Sequence, residues 1–259
     1  MASLNMDRAA PILIRIYKEE STLEVWKQDR TGKYALLKSY PICNYSGHLG
    51  PKIFEGDHQA PEGFYDITPN QMNPWSHEYL AFNIGYPNSF DRSLGRTGSF
   101  LMVHGGCKSV GCYAMTDEEM KEVYGLADEA FAGGQAEIQL EAFPFGMTAQ
   151  NMMRHARDPN VPFWNMLKDG SDAFFLTGQP PKVAVCGYRY VFNPVLAYDG
   201  LDPRSPCPPG IDSPAVVDAQ SPQSAAPAAG SARPTQATAG STDRWLLTVR
   251  DALSRSNGD

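Results

Sequence analysis

Short strand-like runs of apolar and β-branched residues, many of them alternating with polar residues, dominate most of the chain up to about residue 192. Residues 11–17 and 23–26 carry such runs on either side of the charged segment 18–20, which predicts a β-hairpin. This first region should form an antiparallel sheet. Further candidate strands lie at residues 34–43, 64–67, 79–84, 100–103, 136–142, 183–186 and 188–192.

Three later segments place apolar residues at spacings of three and four, which predicts amphipathic helices. The first begins at Thr116, and Glu119 three residues on completes the pattern of a capping box. This helix should end before Gly133. Two more helices are predicted over residues 148–157 and 163–175, the second with an apolar stripe that should face the core.

The composition changes beyond residue 193. Residues 201–243 consist mainly of Pro, Ala, Ser, Gly and Thr, so they bury too little apolar surface to offset the entropy lost on ordering. We therefore expect an N-terminal arm over residues 1–10, one catalytic domain over 11–192, and a disordered tail over 193–259. A short amphipathic patch at 245–253 is compatible with a transient helix or a docking peptide.

Overall composition narrows the class of protein. A chain of 259 residues with 42% hydrophobic residues can bury a sizeable core, and 21 prolines with 23 glycines imply many turns. The net charge of −7 and the lack of a dense Lys/Arg cluster argue against nucleic acid as a partner. No apolar run approaches the roughly 20 residues of a membrane span, and the N-terminus lacks a signal-sequence pattern. The chain is expected to be cytosolic, or the mature form of an exported protein.

The cysteine count is five, and an odd number leaves at least one thiol unpaired unless it bonds another chain. Cys43 is expected to be a small packed residue and Cys207 an exposed, incidental residue of the tail.

The candidate chemistry lies in residues 100–115, FLMVHGGCKSVGCYAM. An apolar strand delivers His104, and a Gly-rich loop leads to Cys112 eight residues later. A cysteine nucleophile needs a base beside it, and His104 is the obvious base. Cys112 is favoured over Cys107 because Gly111 precedes it, and backbone N–H groups there can stabilise an oxyanion. The carbonyl of Gly105 or the side chain of Ser109 is expected to orient the imidazole, and Ser109 can also brace the loop.

Two other interpretations of these cysteines remain open. His104, Cys107 and Cys112 resemble an incomplete metal site, but a closed zinc site needs four ligands and usually a short Cys-x-x-Cys arm, which is missing. We predict no metal and no cofactor. Alternatively, Cys107 and Cys112 form a disulfide or are simply small buried residues.

Two further residues are candidates for contact with a substrate. Arg96 lies in a long predicted loop, 87–99, before the candidate strand; it can hold a substrate carboxylate or pair with Asp91 to fix the loop. Tyr113 directly follows Cys112 and is a second candidate.

The run from His104-Gly105 to Ser109-Val110-Gly111-Cys112 resembles the catalytic signature of the YkuD-type L,D-transpeptidases, and its exact variant resembles their YafK branch, also called DpaA. A second stretch, Pro-Glu-Gly-Phe-Tyr at 61–65, resembles another motif of the same family. The chain departs from the wider family where Val110 replaces a second histidine. The resemblance covers about residues 11–192 and implies a mainly β fold with flanking helices (α+β), with a sandwich- or barrel-like sheet core.

The resemblance also implies a function and a compartment. Family members act on peptidoglycan stem peptides in the periplasm, where the cysteine is acylated by the L-centre carbonyl of meso-diaminopimelate. The YafK branch implies hydrolysis of the amide that links peptidoglycan to an outer-membrane lipoprotein or protein. The alternatives are an L,D-transpeptidase that forms 3-3 crosslinks or attaches proteins to the wall, an L,D-carboxypeptidase, and a non-catalytic wall-binding module.

Overall fold

The computed structural model describes residues 5–195 and 200–212, and most of its elements fall where the sequence predicts them. In chain order they are β1 (Ile12–Tyr17), β2 (Thr22–Gln28), β3 (Tyr34–Pro41), β4 (Asn44–Tyr45), β5 (Gly63–Ile67), a 3-10 turn (Pro69–Gln71), β6 (Met72–Asn73), β7 (Ala81–Asn83), α1 (Ser89–Ser93), β8 (Met102–His104), β9 (Tyr113–Ala114), α2 (Asp117–Ala132), β10 (Ile138–Phe143), α3 (Ala149–Arg154), α4 (Val161–Thr177), β11 (Val183–Cys186) and β12 (Arg189–Phe192).

Strand β1 lies at the centre of the first sheet, whose strand order is β3-β2-β1-β10-β5. It pairs antiparallel with β2, which confirms the predicted hairpin, and parallel with β10, so the whole sheet is mixed. All six side chains of β1 are buried because both faces of the sheet are covered. Ile14 and Ile16 join one core, whereas Tyr17 joins a second core.

The second sheet carries the candidate site, in the order β4-β9-β8-β7-β6. Its buried residues Phe82, Val103 and Tyr113 share one apolar cluster with the isoleucines of β1. Helix α2 adds its apolar face to the same cluster. Both sheets therefore contribute to one core, and the predicted mainly β, α+β fold is confirmed.

Helices α2 and α4 cover this framework where the sequence predicts them. Thr116 and Glu119 form the expected capping box of α2, which ends at Ala132. In α4 the predicted stripe is buried, and Trp164 and Leu167 pack in the second core. Helix α1, by contrast, lies in the segment predicted to be a loop. It spans five residues, too few for an apolar period to show.

The predicted tail begins too early. Residues 200–212 pack on the β11–β12 hairpin, where Ile211 is 1% exposed. Cys207 is bonded to Cys186 in a disulfide, so the expectation of an incidental cysteine is wrong. Ile211 is the apolar residue that attaches this segment to the hairpin, and a single such residue does not stand out in a segment rich in proline and polar residues. Residues 196–199 and 213–259, including the predicted helix at 245–253, lie outside the described residues.

At the other end of the chain, the described part of the predicted arm, residues 5–10, packs on the first sheet. Met6 is buried, and Lys27 donates a hydrogen bond to the Ala10 carbonyl. None of the helices within residues 5–195 and 200–212 is both long and apolar enough to cross a membrane.

A buried ion pair centred on Glu62 ties the first sheet to the loops beside the site. Glu62 Oε1 accepts hydrogen bonds from Lys18 Nζ at 2.9 Å and from the Gly50 N–H at 2.6 Å. Its Oε2 accepts from Trp164 Nε1 at 2.9 Å. Lys18 also donates to the carbonyls of Gly50 and Ala60. Both charged side chains are fully buried and have lost their hydration, so only these ion-pair and hydrogen-bond partners compensate the cost of burying the charges.

Replacing Glu62 by Gln should lower the free energy of unfolding by about 3–5 kcal/mol, because the Lys18 ammonium is left buried without a counter-charge. Urea denaturation measures the loss. The matched control is Glu122→Gln, which breaks the exposed pair with Lys38 and should cost less than about 1 kcal/mol. Equal losses in the two variants would contradict the assignment of stability to the buried pair.

Candidate active site

Strands β8 and β9 are adjacent inside the second sheet, and their parallel pairing brings the two candidate residues to one face of that sheet. Val103 lies opposite Tyr113 and His104 opposite Ala114. Extending this register by one residue places Cys112 level with Met102. Because residues two apart on a strand face the same way, His104 and Cys112 project from the same face of adjacent strands.

The His104 ring is held in one orientation by its own neighbour. It is 6% exposed, and its Nδ1 lies 2.6 Å from the Gly105 carbonyl oxygen. Since a carbonyl can only accept, Nδ1 carries a proton, and in the neutral ring this leaves the lone pair on Nε2. Among the described residues Nε2 has no hydrogen-bond partner, and the ring is not bonded to the Cys112 sulfur. Of the two orienting groups expected from the sequence, the Gly105 carbonyl makes the contact and Ser109 does not.

Residue 105 is a glycine because neighbouring atoms leave no room for a side chain there. A Cβ there would lie 2.7 Å from Asp117 Oδ1 and 3.0 Å from the Glu78 carbonyl oxygen. Asp117 also accepts the Gly106 N–H at 2.9 Å, which ties the start of the 105–111 loop to the first turn of α2. A side chain at residue 105 would push apart the groups that fix the imidazole.

The Cys112 thiol is half-buried and lies 3.6 Å from the Phe100 carbonyl oxygen. Burial raises the pKa of this thiol above its ordinary value of 9.0, although the backbone of Met102 and the charge of Lys52 partly oppose the shift. The resting group near neutral pH is therefore a neutral thiol rather than a thiolate.

Ser109 braces the loop through the backbone N–H and the carbonyl of Cys112. Its Oγ donates to the Cys112 carbonyl at 2.6 Å and accepts the Cys112 N–H at 2.9 Å. This corrects one expectation: the Cys112 N–H is already bonded and is not free to meet an oxyanion in this state. The Gly111 N–H has no hydrogen-bond partner among the described residues and stays available.

A disulfide joins Cys43, just before β4, to Cys107 in the 105–111 loop. The expectation that Cys43 is merely a packed residue is wrong, and so is the alternative pairing of Cys107 with Cys112. With Cys186 and Cys207 also paired, Cys112 is the single free cysteine of the chain. The two cysteines are 64 residues apart, so no local sequence pattern indicates this pairing.

A groove of about 200 Å³ lies beside Gly111, the residue before the cysteine. Its lining is mixed: Phe100 and Val110, which are 74% and 76% exposed, are apolar, whereas Lys52, Glu55 and His58 are polar or charged. Backbone strain marks the same area: of the eight non-glycine residues with positive φ among those described, four lie in the loops around the site, namely His58, Tyr79, Phe100 and Cys107.

Comparison with known proteins identifies the family. The model of the YkuD L,D-transpeptidase catalytic domain matches residues 11–138, which include His104 and Cys112. The L,D-transpeptidase-family protein YafK of Escherichia coli strain K12 is 44% identical over 195 residues, covering 75% of this chain and 79% of that protein. YafK of E. coli O157:H7 matches to the same extent. The chain belongs to the YkuD family of L,D-transpeptidases.

Solved structures are more distant. The helical cell shape determining protein Pgp2 of Campylobacter jejuni has 16% identity and a TM-score of 0.40, covering 71% of this chain and 78% of Pgp2. Bd1075 of Bdellovibrio bacteriovorus has 20% identity and a TM-score of 0.37, covering 63% of this chain and 60% of Bd1075. TM-scores this low support no inference about function.

The two predicted substrate contacts of this YkuD-family chain are occupied by structural partners. Arg96 is 8% exposed at its side chain and pairs with the buried Asp91 at 2.9 Å, which is the loop-fixing alternative. Its guanidinium also lies over the rings of Phe90 and Phe163. Tyr113 is fully buried and donates to the Pro61 carbonyl at 2.5 Å. Neither side chain reaches the groove.

Sequence analysis gives no site role to Lys52 and Phe100, which line the groove with Val110, or to Ser46, whose Oγ contacts that of Ser109. Contacts between loops far apart in the chain bring these residues to the site, and no local pattern predicts such contacts. His58 also lines the groove, whereas His48 and His77 are exposed in other loops. Within the described residues no group of three or more His, Cys, Asp or Glu forms a metal-ligand set.

Alkylation of Cys112 by iodoacetamide should rise with pH and reach half of its plateau above pH 9, because burial raises the pKa of the folded thiol and only the thiolate reacts. Intact-protein mass spectrometry across a pH series measures the rate, and Cys112 is the only free thiol to react. The control is the same protein unfolded in guanidinium chloride, where burial is lost and the midpoint should fall toward the ordinary value of 9.0. A high, flat rate below pH 7 would instead reveal a preformed thiolate–imidazolium pair.

Proposed function

We propose that this protein is a peptidoglycan-acting cysteine enzyme in which Cys112 is the nucleophile and His104 the general base. The observation that carries the proposal is the arrangement of the imidazole. Its Nδ1 is fixed on the Gly105 carbonyl and its Nε2 is unpartnered, on the same sheet face as the single free cysteine. A base held in one tautomer beside a neutral thiol is suited to taking the proton as the sulfur attacks.

The reaction proceeds through a thioester. As Nε2 of His104 takes the thiol proton, the Cys112 sulfur bonds to the substrate carbonyl carbon and the carbonyl oxygen becomes an oxyanion. Collapse of this intermediate breaks the carbon–nitrogen bond, and the imidazolium gives its proton to the leaving amine. Water then attacks the thioester, with His104 as base again, and releases the acid and the thiol.

Stabilisation of the oxyanion falls first to the Gly111 N–H, because the Cys112 N–H is held by Ser109 in the resting state. Loss of one such donor typically costs about 100-fold or more in rate. A positive φ of 104° at Gly111 sets this turn, which only glycine adopts readily. The neutral resting thiol agrees with proton transfer during the attack rather than before it.

Membership of the family supports the substrate class that we propose. L,D-transpeptidases act on peptidoglycan stem peptides at the L-centre carbonyl of meso-diaminopimelate, and the motifs of residues 104–115 match the YafK branch. We place hydrolysis of the amide between peptidoglycan and an outer-membrane lipoprotein or protein first, with transpeptidation or L,D-carboxypeptidase activity as the second candidate. Two disulfides fit an oxidising compartment, which supports a periplasmic location.

A carbapenem should acylate wild-type protein at a single site, because its strained carbonyl meets the same nucleophile. Intact-protein mass spectrometry should show the adduct in the wild type and none in Cys112→Ala. His104→Ala should slow the adduct by about 100-fold or more, since it removes the base. His77→Ala, which changes an exposed loop histidine, is the matched control and should react at the wild-type rate. An adduct that survives Cys112→Ala would exclude the proposed nucleophile.

The product distinguishes hydrolase from transpeptidase. Incubation with lipoprotein-linked muropeptides should release free lipoprotein and intact stems, whereas tetrapeptide stems alone should yield few crosslinked dimers. Mass spectrometry of both digests, with Cys112→Ala as the blank, gives the ratio. Crosslinked dimers without released lipoprotein would overturn the hydrolytic assignment in favour of transpeptidation. If neither substrate changes and no carbapenem adduct forms, the chain is a non-catalytic wall-binding module.

A further inference from the structure

Ser46 contacts the site from outside the catalytic motif. It follows β4 directly, and its Oγ lies 2.9 Å from Ser109 Oγ. Ser109 in turn holds both the carbonyl and the N–H of Cys112. A chain of hydrogen bonds therefore runs from Ser46 through Ser109 to the peptide group of the free cysteine.

The direction of these bonds follows from counting protons. The 2.6 Å contact between Ser109 Oγ and the Cys112 carbonyl needs a proton, and the hydroxyl of Ser109 supplies its only one. Ser109 Oγ then accepts from the Cys112 N–H and has one lone pair left. The remaining bond must therefore be donated by Ser46. Without that donor, the Ser109 hydroxyl loses one of the three contacts that fix its rotation.

Ser46 is itself anchored at several points. Its carbonyl accepts the Ala60 N–H at 2.9 Å. Its neighbour Tyr45 pairs with Tyr113 in the sheet, and Cys43, three residues earlier, is bonded to Cys107. The segment from Cys43 to Ser46 is thus attached to the 105–111 loop at two points, by the disulfide at Cys43 and by the hydrogen bond of Ser46. Two attachments of this kind can fix the positions of the Cys112 sulfur and of the backbone amides next to it.

We infer that Ser46 is a positioning residue for the acyl-transfer step, acting through Ser109 on the backbone N–H and carbonyl of Cys112. This inference rests on the proposed function of Cys112. Acylation requires the sulfur, the imidazole and the oxyanion donors to be aligned at once, whereas alkylation by iodoacetamide requires only a thiolate. Misplacement of a reacting group by about 1 Å can cost on the order of 100-fold in rate. Loss of the Ser46 hydroxyl should therefore slow acylation far more than alkylation.

The first experiment compares two reactions of the full chain. Ser46→Ala should lower the rate of carbapenem acylation by about 10–100-fold while changing the rate of iodoacetamide alkylation by less than about threefold. Ser46→Thr keeps the hydroxyl and should restore most of the acylation rate. Ser39→Ala, on the exposed face of β3, is the matched control and should leave both rates unchanged. An unchanged acylation rate in Ser46→Ala, or an equal fall of both rates, would overturn the inference.

A second readout does not depend on catalysis. Hydrogen exchange of the Cys112 amide, followed by NMR, should be at least about fivefold faster in Ser46→Ala than in the wild type and Ser39→Ala, because its acceptor is no longer fixed. Unchanged exchange would overturn the positioning role whatever the chemistry. Faster exchange in a protein whose wild type forms no carbapenem adduct would instead support the contact and reject the proposed function, so the two failures can be told apart.

Discussion

The buried carboxylate of Glu62 is the constraint on which the site depends. It pairs with Lys18, which directly follows the central strand β1, accepts the Gly50 N–H and accepts a hydrogen bond from the indole of Trp164. The loop that carries Glu62 is therefore fixed from three directions, and the carbonyl of Pro61 before it accepts the hydroxyl of Tyr113. Because Tyr113 adjoins Cys112, the buried Glu62 helps to fix the position of the candidate nucleophile through the contact between Pro61 and Tyr113.

Much of this arrangement could be predicted from the chain alone, because strands, caps and a Gly-rich loop are local features. The hairpin of β1 and β2, the Thr116 capping box and the His104–Cys112 pair all depend on residues close in sequence. The disulfide between Cys43 and Cys107 and the hydrogen bond between Ser46 and Ser109 join segments far apart in the chain, so no local sequence pattern predicts them. Arg96 is an intermediate case: the sequence offers a substrate carboxylate or Asp91 as its partner, and the fold selects Asp91 by placing the two side chains 2.9 Å apart.

The geometry separates two ways of activating a cysteine. A thiolate stabilised before the substrate arrives needs a lowered pKa, yet burial raises the pKa of the Cys112 thiol and its sulfur lies near the Phe100 carbonyl, which repels an anion. The fixed lone pair on His104 Nε2 suits the other way, in which the proton leaves as the bond to carbon forms. The charge of Lys52 lowers the pKa of the Cys112 thiol, but by less than burial raises it.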